Sequence, residues 1–244
     1  DMPAEKIQVV VHPQSIVHSA VEFDDVDLVV EGDGIAFAKA LAQELGGRVR
    51  EHRTFMTALI IYHDENGEEQ RLDVATARLE YYKYPAALPT VELSSIKMDL
   101  FRRDFTINAM ALRLNKGQFG CLVDFFGGQK DIRDRVIRVL HTLSFVEDPT
   151  RCLRAVRFEQ RYHFRIGPAT EKLIKNDVSL KLLDKLSPSR LFNEFEHICA
   201  EETAILCIRR LHELGILQAI HPQLSINPDR KEMLIRTAKV MAWY

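Results

Sequence analysis

Two aspartates one residue apart, Asp25 and Asp27, open a short apolar run in VEFDDVDLVVEGDG. In an extended chain alternate side chains share a face, so the two carboxylates project side by side. A third carboxylate, Asp73, lies in RLDVATAR, which also has strand character. Two carboxylates on one strand and a third on a neighbour can hold a pair of divalent ions about 4 Å apart. Such a pair activates an attacking hydroxyl and stabilises the leaving oxygen in phosphoryl transfer. Like charges this close repel unless cations neutralise them. The plainer alternative is that acidic residues before a strand simply form a turn.

Two further stretches carry chemistry. In FRRDFTINAMAL, adjacent Arg102 and Arg103 can grip phosphate oxygens bidentately, and Asp104 beside them can accept a hydrogen bond from a ribose hydroxyl. The alternative is a surface salt-bridge cluster on a helix. In EDPTRCLRAVRF, Asp148 and Pro149 make a strong helix start, with Asp148 as N-cap and Pro149 in the first helical position. Arg151, Arg154 and Arg157 follow at spacings of three and occupy one broad side of that helix. An aspartate and an arginine on one rigid helix also form a fixed set of acceptors and donors that could read a nucleobase edge. The capping and base-reading roles compete for the Asp148 carboxylate.

Elements that position these residues are legible from hydrophobic periodicity. IQVVVH, IVHSAVEF and DLVVEG read as strands, and GIAFAKALAQELGG as an amphipathic helix ended by Gly46 and Gly47. TALIIYHD and QRLDVATA read as a hairpin around ENGEE. SSIKMDLFRRDFTINAMALRL is expected to be mostly helical, and CLVDFFGGQKD to be a short strand followed by a glycine turn. From about residue 146 helices dominate: DPTRCLRAVRFEQRY, PATEKLIKND, SPSRLFNEFEHICA, TAILCIRRLHELG and PDRKEMLIRTAKVMAWY. The last has no stop signal, which suggests a piece of a longer protein. The expected layout is a mixed α/β head and a helical body joined near Gly127-Gly128.

The 244 residues are 46% hydrophobic and 28% charged, an ordinary globular composition. No apolar run approaches the roughly 20 residues of a membrane span, and no secretory signal is visible. The four cysteines form no CxxC pair and fit reduced thiols in a cytoplasmic protein. Net charge is −2, but residues 1–129 hold 13 Lys+Arg against 20 Asp+Glu, and residues 130–244 hold 20 against 15. An acidic front and a basic back suit carboxylates at a metal site and a polyanion held elsewhere.

In order, DVDLVVEGDG, RLDVATAR, RRDFTINAMAL, VDFFGGQKDIRDRVIRVL, FVEDPTRCLRAVRFEQR and LSPSRLFNEF resemble the class II tRNA nucleotidyltransferase and poly(A) polymerase family. The resemblance runs from about Asp24 to Tyr244. It implies an α+β fold, with a polymerase-β-like head over residues 24–145 and an all-α neck and body over 146–244. It implies transfer of AMP or CMP from ATP or CTP to the 3′ hydroxyl of tRNA, without a nucleic-acid template. Asp25 and Asp27 would hold Mg²⁺, with Asp73 as the third catalytic carboxylate. Arg103 would contact the nucleotide and Asp104 its ribose. Asp148 and Arg151 would read the base, with Arg154 and Arg157 supporting the pocket. The turn from Asp124 through Gly127 and Gly128 would be the hinge between head and neck. The basic neck and body would hold the acceptor stem by its phosphates.

One departure stands out. The family's Gly-Gly-x-Val-Arg-Asp turn ahead of the aspartate pair is absent. Residues 2–23 resemble instead a segment of 1-deoxyxylulose-5-phosphate reductoisomerases, around HPQSIVHS. The segment lacks that enzyme's dinucleotide fold and metal carboxylates and implies no such activity. A chimeric junction near Phe23-Asp24 is the simplest account, with IVHSAVEF supplying an edge or leading strand and His12 and His18 as ordinary strand residues. The other functional readings are a poly(A) polymerase acting on other RNAs, and an impaired RNA-binding remnant.

Overall fold

The structure, a computed structural model, describes residues 6–11 and 27–241. The chain forms two compact units, Asp1–Tyr81 with Pro89–Ile132, and Tyr82–Leu88 with Arg133–Tyr244.

The first unit is built on a seven-stranded sheet. In chain order it contains β1 (Lys6–Val11), β2 (Asp27–Glu31), α1 (Gly34–Glu44), β3 (Arg48–His52), β4 (Thr57–His63) and β5 (Glu69–Thr76). A small antiparallel pair, β6 (Arg78–Tyr81) and β7 (Thr90–Leu93), precedes α2 (Ile96–Phe101), β8 (Met110–Arg113) and β9 (Leu122–Asp124). The strand order is β3-β4-β5-β2-β1-β8-β9. Among the described residues of this sheet only the β2–β5 pair is parallel.

β2 lies inside the sheet, and Leu28, Val29 and Val30 are all buried. That explains its unbroken apolar run, since a strand covered on both faces does not alternate. β3 is an edge strand and carries Arg48, Arg50, Glu51 and His52, charges that discourage pairing with another chain. The β4–β5 hairpin forms as its turn chemistry predicts. Asp64 Oδ1 accepts hydrogen bonds from the backbone N–H groups of Asn66 and Glu68, both at 2.9 Å. α1 is capped by Asp33, whose Oδ1 accepts from Ile35 N and Ala36 N. Its apolar stripe, Phe37, Ala38 and Ala42, joins Leu28, Val30, Ala58, Ile60 and Val74 in one core cluster.

Two strand expectations need comment. The strand beside β2 is Lys6–Val11, which lies between β2 and β8 in the middle of the sheet. IVHSAVEF lies outside the described residues, as do His12 and His18. The long stretch from Ser94 to Leu114 is not mostly helical. It gives a six-residue helix, a 3₁₀ turn at Thr106–Asn108, and then strand β8. Phe105, Ile107, Ala109, Met110 and Ala111 are all at most 1% exposed. A run buried on every side has no period to separate helix from strand. Asp104 tips the balance locally, because its side chain accepts from Phe105 N and competes with helical bonding.

The second unit is helical. After α3 (Gly128–Asp134) come β10 (Val136–Ile137), α4 (Ser144–Glu147), α5 (Thr150–Arg161), β11 (Arg165–Ile166), α6 (Pro168–Ser179), α7 (Pro188–Cys199), α8 (Ala204–Glu213), α9 (Ile216–Ile220) and α10 (Pro228–Met241). All five expected helices of this part form. α5 is central, with Leu153, Ala155 and Val156 fully buried and with α7 and α8 packed on it. Arg210 on α8 ties Glu159 on α5 to Glu171 on α6, at 2.8 Å to each. Among the described residues no helix is long and apolar enough to cross a membrane.

Beneath α5, Asp177 of α6 is 2% exposed and accepts a hydrogen bond from the Cys152 thiol at 3.3 Å. Burial pushes its carboxyl up from 3.8 to about 6; the Cys152 bond opposes this and the charge of Asp148 adds to it. The folded state therefore keeps a proton that the unfolded chain releases near pH 4. This contribution to stability is fully present below pH 4 and is lost as pH rises to about 6, at most about 3 kcal/mol for a shift of this size. Asp177→Asn is thus expected to gain stability relative to the parent as pH rises from 4 to 6.5. Urea unfolding of both proteins across that range checks it, and a pH-independent difference between them refutes it.

Candidate active site

Asp27 opens β2, and the parallel ladder pairs it directly with Asp73 of β5. Neighbouring strands lie about 4.8 Å apart, and residues in register on parallel strands project to the same face. The two carboxylates therefore meet on one side of the sheet. They line a cleft of about 240 Å³ together with Arg102, Arg103 and Thr57. Asp25 lies outside the described residues. Among the described residues no group of three or more His, Cys, Asp or Glu is placed to hold a metal ion. The donor set present is two hard carboxylates at an open cleft. That fits Mg²⁺, which binds through one or two carboxylates and keeps several waters.

The two arginines are fastened unequally. Arg102 donates from Nη2 and Nε to Asp99 Oδ1, at 2.8 and 3.1 Å, and from Nη1 to Glu80 Oε1 at 2.9 Å. Arg103 has one such contact, Nη2 to Asp99 Oδ2 at 3.3 Å. Both guanidiniums are mostly covered, so the cluster is not a solvated surface patch. Asp104 is 5% exposed, and its Oδ1 accepts from Phe105 N and from Asn108 Nδ2 at 2.9 Å.

In the second unit, Asp148 is extended, and its Oδ1 accepts from Thr150 N at 3.0 Å and from Thr150 Oγ1 at 2.6 Å. The helix itself starts at Thr150, one residue after Pro149. Arg190 of α7 adds a third donor to Oδ1, Nη2 at 2.7 Å, and holds Ala86 O with Nη1. Asp148 Oδ2 has no hydrogen-bond partner among the described residues. Capping and recognition therefore need not compete, because each can use its own oxygen. Arg151 is buried and donates to Ser144 Oγ at 2.8 Å. Arg154 and Arg157 flank the Phe158 ring, at 6.0 and 4.9 Å from its centroid, and Arg157 also faces Glu194 and Glu201. These arginines line the interior of the unit instead of forming a solvated helix side. Burial raises the Glu194 carboxyl above its usual range, against the pull of Arg154 and Arg157.

The glycine turn follows β9. Asp124 accepts from Gly128 N at 2.9 Å and Gln129 N at 3.0 Å, and Gly127 has φ +77°. Sequence reasoning missed Asp99, Glu80, Ser144 and Arg190. Only Asp99 left a readable signal, an acid three and four positions ahead of two arginines.

Residues 16–138, just over half of the chain, match the family model of the poly(A) polymerase head domain. The chain belongs to the poly(A) polymerase and tRNA nucleotidyltransferase family. Residues 163–226 match a second family model, described as a probable RNA- and SrmB-binding site of polymerase A. Among curated relatives, the A-adding tRNA nucleotidyltransferase of Geobacter sulfurreducens is 51% identical over 223 residues. That of Aquifex aeolicus is 43% identical over 220 residues. These matches cover 91% and 90% of this chain but only 25% and 26% of the relatives, so the chain spans about a quarter of their length. Of solved structures, a CCA-adding enzyme in an apo form superposes with a TM-score of 0.90 at 44% identity, over 98% of this chain and 55% of that one. The Thermotoga maritima CCA-adding enzyme complexed with tRNA gives 0.84 at 40% identity, over 98% and 54%. The polymerase-β-like α+β architecture expected for this family is thereby established.

Proposed function

We propose that the chain adds AMP from ATP to the 3′ end of tRNA, without a template and with release of pyrophosphate. The observation that carries this reading is the register of Asp27 against Asp73 in a cleft walled by two arginines. In the reaction the tRNA 3′ oxygen attacks the α-phosphorus and loses its proton. The bond from that phosphorus to the β-phosphate oxygen breaks, and pyrophosphate leaves. Asp25, Asp27 and Asp73 are the carboxylates assigned to Mg²⁺, which when bound lowers the pKa of the attacking hydroxyl and neutralises developing charge. Arg103 takes nucleotide phosphate oxygens, and Asp104, fixed by Asn108, accepts from the ribose. Asp148, through Oδ2, and Arg151 are assigned to the base, with Arg154 and Arg157 as support. Residues 24–145 are read as the head and 146–244 as the neck and body that hold tRNA phosphates. AMP is favoured over CMP because relatives at 51% and 43% identity are A-adding enzymes.

Incubation with Mg²⁺, labelled ATP or CTP, and tRNAs ending at each stage of CCA tests the reading. One AMP added to tRNA ending in CC is the expected result. Long A tails on unrelated RNAs would make the chain a poly(A) polymerase. Retention of tRNA with no extension would make it a binding remnant. Residues 2–23 are read as a foreign segment, so restoring the Gly-Gly-x-Val-Arg-Asp turn should raise the extension rate, because a glycine there lets backbone approach the triphosphate. Equal rates would end the idea of impairment.

A further inference from the structure

We infer that Asp99 is a positioning residue for the nucleotide: its buried carboxylate holds Arg103 against the Asp27/Asp73 cleft. This rests on the nucleotidyltransferase reading and extends it to a residue outside the cleft lining.

Asp99 is fully buried, on a helix of only six residues, and both its oxygens face the cationic cluster. Oδ1 accepts from Arg102 Nη2 and Nε and from the backbone N–H of Arg78. Oδ2 accepts from Arg103 Nη2. The two arginines differ in what else holds them. Arg102 is braced from the far side by Glu80, which also pairs with Arg78 at 3.1 Å. Arg103 has no second anion among the described residues, and its Nε is buried without a hydrogen-bond partner.

The division of labour follows. Arg102 is a strut, pinned by two carboxylates. Arg103 hangs from Asp99 alone and keeps donors for an incoming anion. The cluster of Arg78, Arg102, Arg103, Glu80 and Asp99 carries three positive charges and two negative, and it borders the cleft that Asp27 and Asp73 also line. A triphosphate bound there meets a guanidinium tethered at Nη2 by a rigid buried carboxylate, which keeps the arginine on the cleft side. An asparagine at 99 fills the same space but removes the charge and one acceptor oxygen, so Arg103 is no longer held.

The test measures equilibrium binding of ATP in Mg²⁺ buffer to the full chain, together with KM and kcat for tRNA extension. Asp99→Asn is expected to weaken ATP binding and raise KM about tenfold, with kcat changed much less, as is usual for residues that orient a ligand-binding group. In an Arg103→Ala background the same substitution should weaken binding no further, since it acts through that arginine. Glu80→Gln, which loosens only the strut, should leave ATP affinity within about twofold. Unchanged ATP binding in Asp99→Asn, or a further loss in the Arg103→Ala background, overturns the assignment. If a D99N chain is unfolded by circular dichroism, Asp99→Glu replaces it: the longer acid should also displace Arg103 and raise KM, and an unaltered KM counts against the inference. A parent chain that binds neither ATP nor CTP would sink the nucleotidyltransferase reading itself. Parent binding with indifferent variants would sink only the role of Asp99.

Discussion

Asp27→Ala is expected to slow nucleotide addition by about 10³-fold or more, since removing a metal-holding carboxylate forfeits several kcal/mol of transition-state stabilisation. Retention of tRNA should stay within about twofold, because phosphate contacts made by other residues supply that affinity. Asp73→Ala should behave the same way. The reason is geometric: the ladder sets the two aspartates side by side on adjacent parallel strands inside the sheet. Neither side chain can drift to compensate for loss of the other. A second measurement separates this role from a folding role. Mg²⁺ should raise the melting temperature of the parent chain, and the increment should vanish in Asp27→Asn, because a ligand stabilises only the state that binds it. An Asp27→Ala chain that extends tRNA at a rate near the parent's would remove Asp27 from the chemistry. Loss of extension together with loss of tRNA binding would point to misfolding.

Much of this site was legible because its signals are local. ENGEE announces a hairpin through the affinity of Asp64 for its neighbours' N–H groups, and that hairpin delivers Asp73 to the right strand. The start of α5 is local in the same sense, although it falls one residue later than expected, with Pro149 at the cap and Thr150 as the first helical residue. What was not legible depends on distant partners. Nothing near Lys6–Val11 says that this strand sits between β2 and β8, since that pairing joins residues about a hundred positions apart. FTINAMALR shows no strand period because uniform burial hides it, and pairing with β1 and β9 decides the strand. Asp99 escaped notice because an acid near two arginines is common. Its importance arises from full burial, which a sequence does not display. The spacing of the α5 arginines puts them on one broad side of the helix, but does not show that Arg151 is buried there and that Arg157 meets Glu194 and Glu201.

Gly128→Ala is the substitution expected to cost the most stability, about 3 kcal/mol or more, at the high end of overpacking effects. The neighbouring Gly127→Ala should cost only about 1 kcal/mol, the penalty of a left-handed backbone for an L residue. The two glycines stand together in DFFGG, yet they serve different physical ends. Gly127 has φ +77°, and a Cβ added there meets nothing within 4 Å. Its requirement is conformational. At Gly128 an added Cβ would fall 2.3 Å from the carbonyl oxygen of Thr106 and 3.0 Å from Met110 Cγ and Sδ. The Thr106 oxygen belongs to backbone, and that turn is fixed by the buried bond from Thr106 Oγ1 to Asp131 Oδ2 at 2.7 Å. The first turn of α3 and the 3₁₀ turn before β8 are thus in direct backbone contact, with no soft side chain between them to yield. The bonds from Asp124 to Gly128 N and Gln129 N bind the same corner from its other side. Urea unfolding of the two alanine variants measures the difference. The proposed hinge role of Asp124, Gly127 and Gly128 is tested by the same pair of proteins. If the turn flexes during the reaction, it does so at Gly127, and Gly127→Ala should lower kcat by more than its small stability cost explains. If Gly128→Ala is instead well tolerated while Gly127→Ala unfolds the chain, the packing account of this corner is wrong.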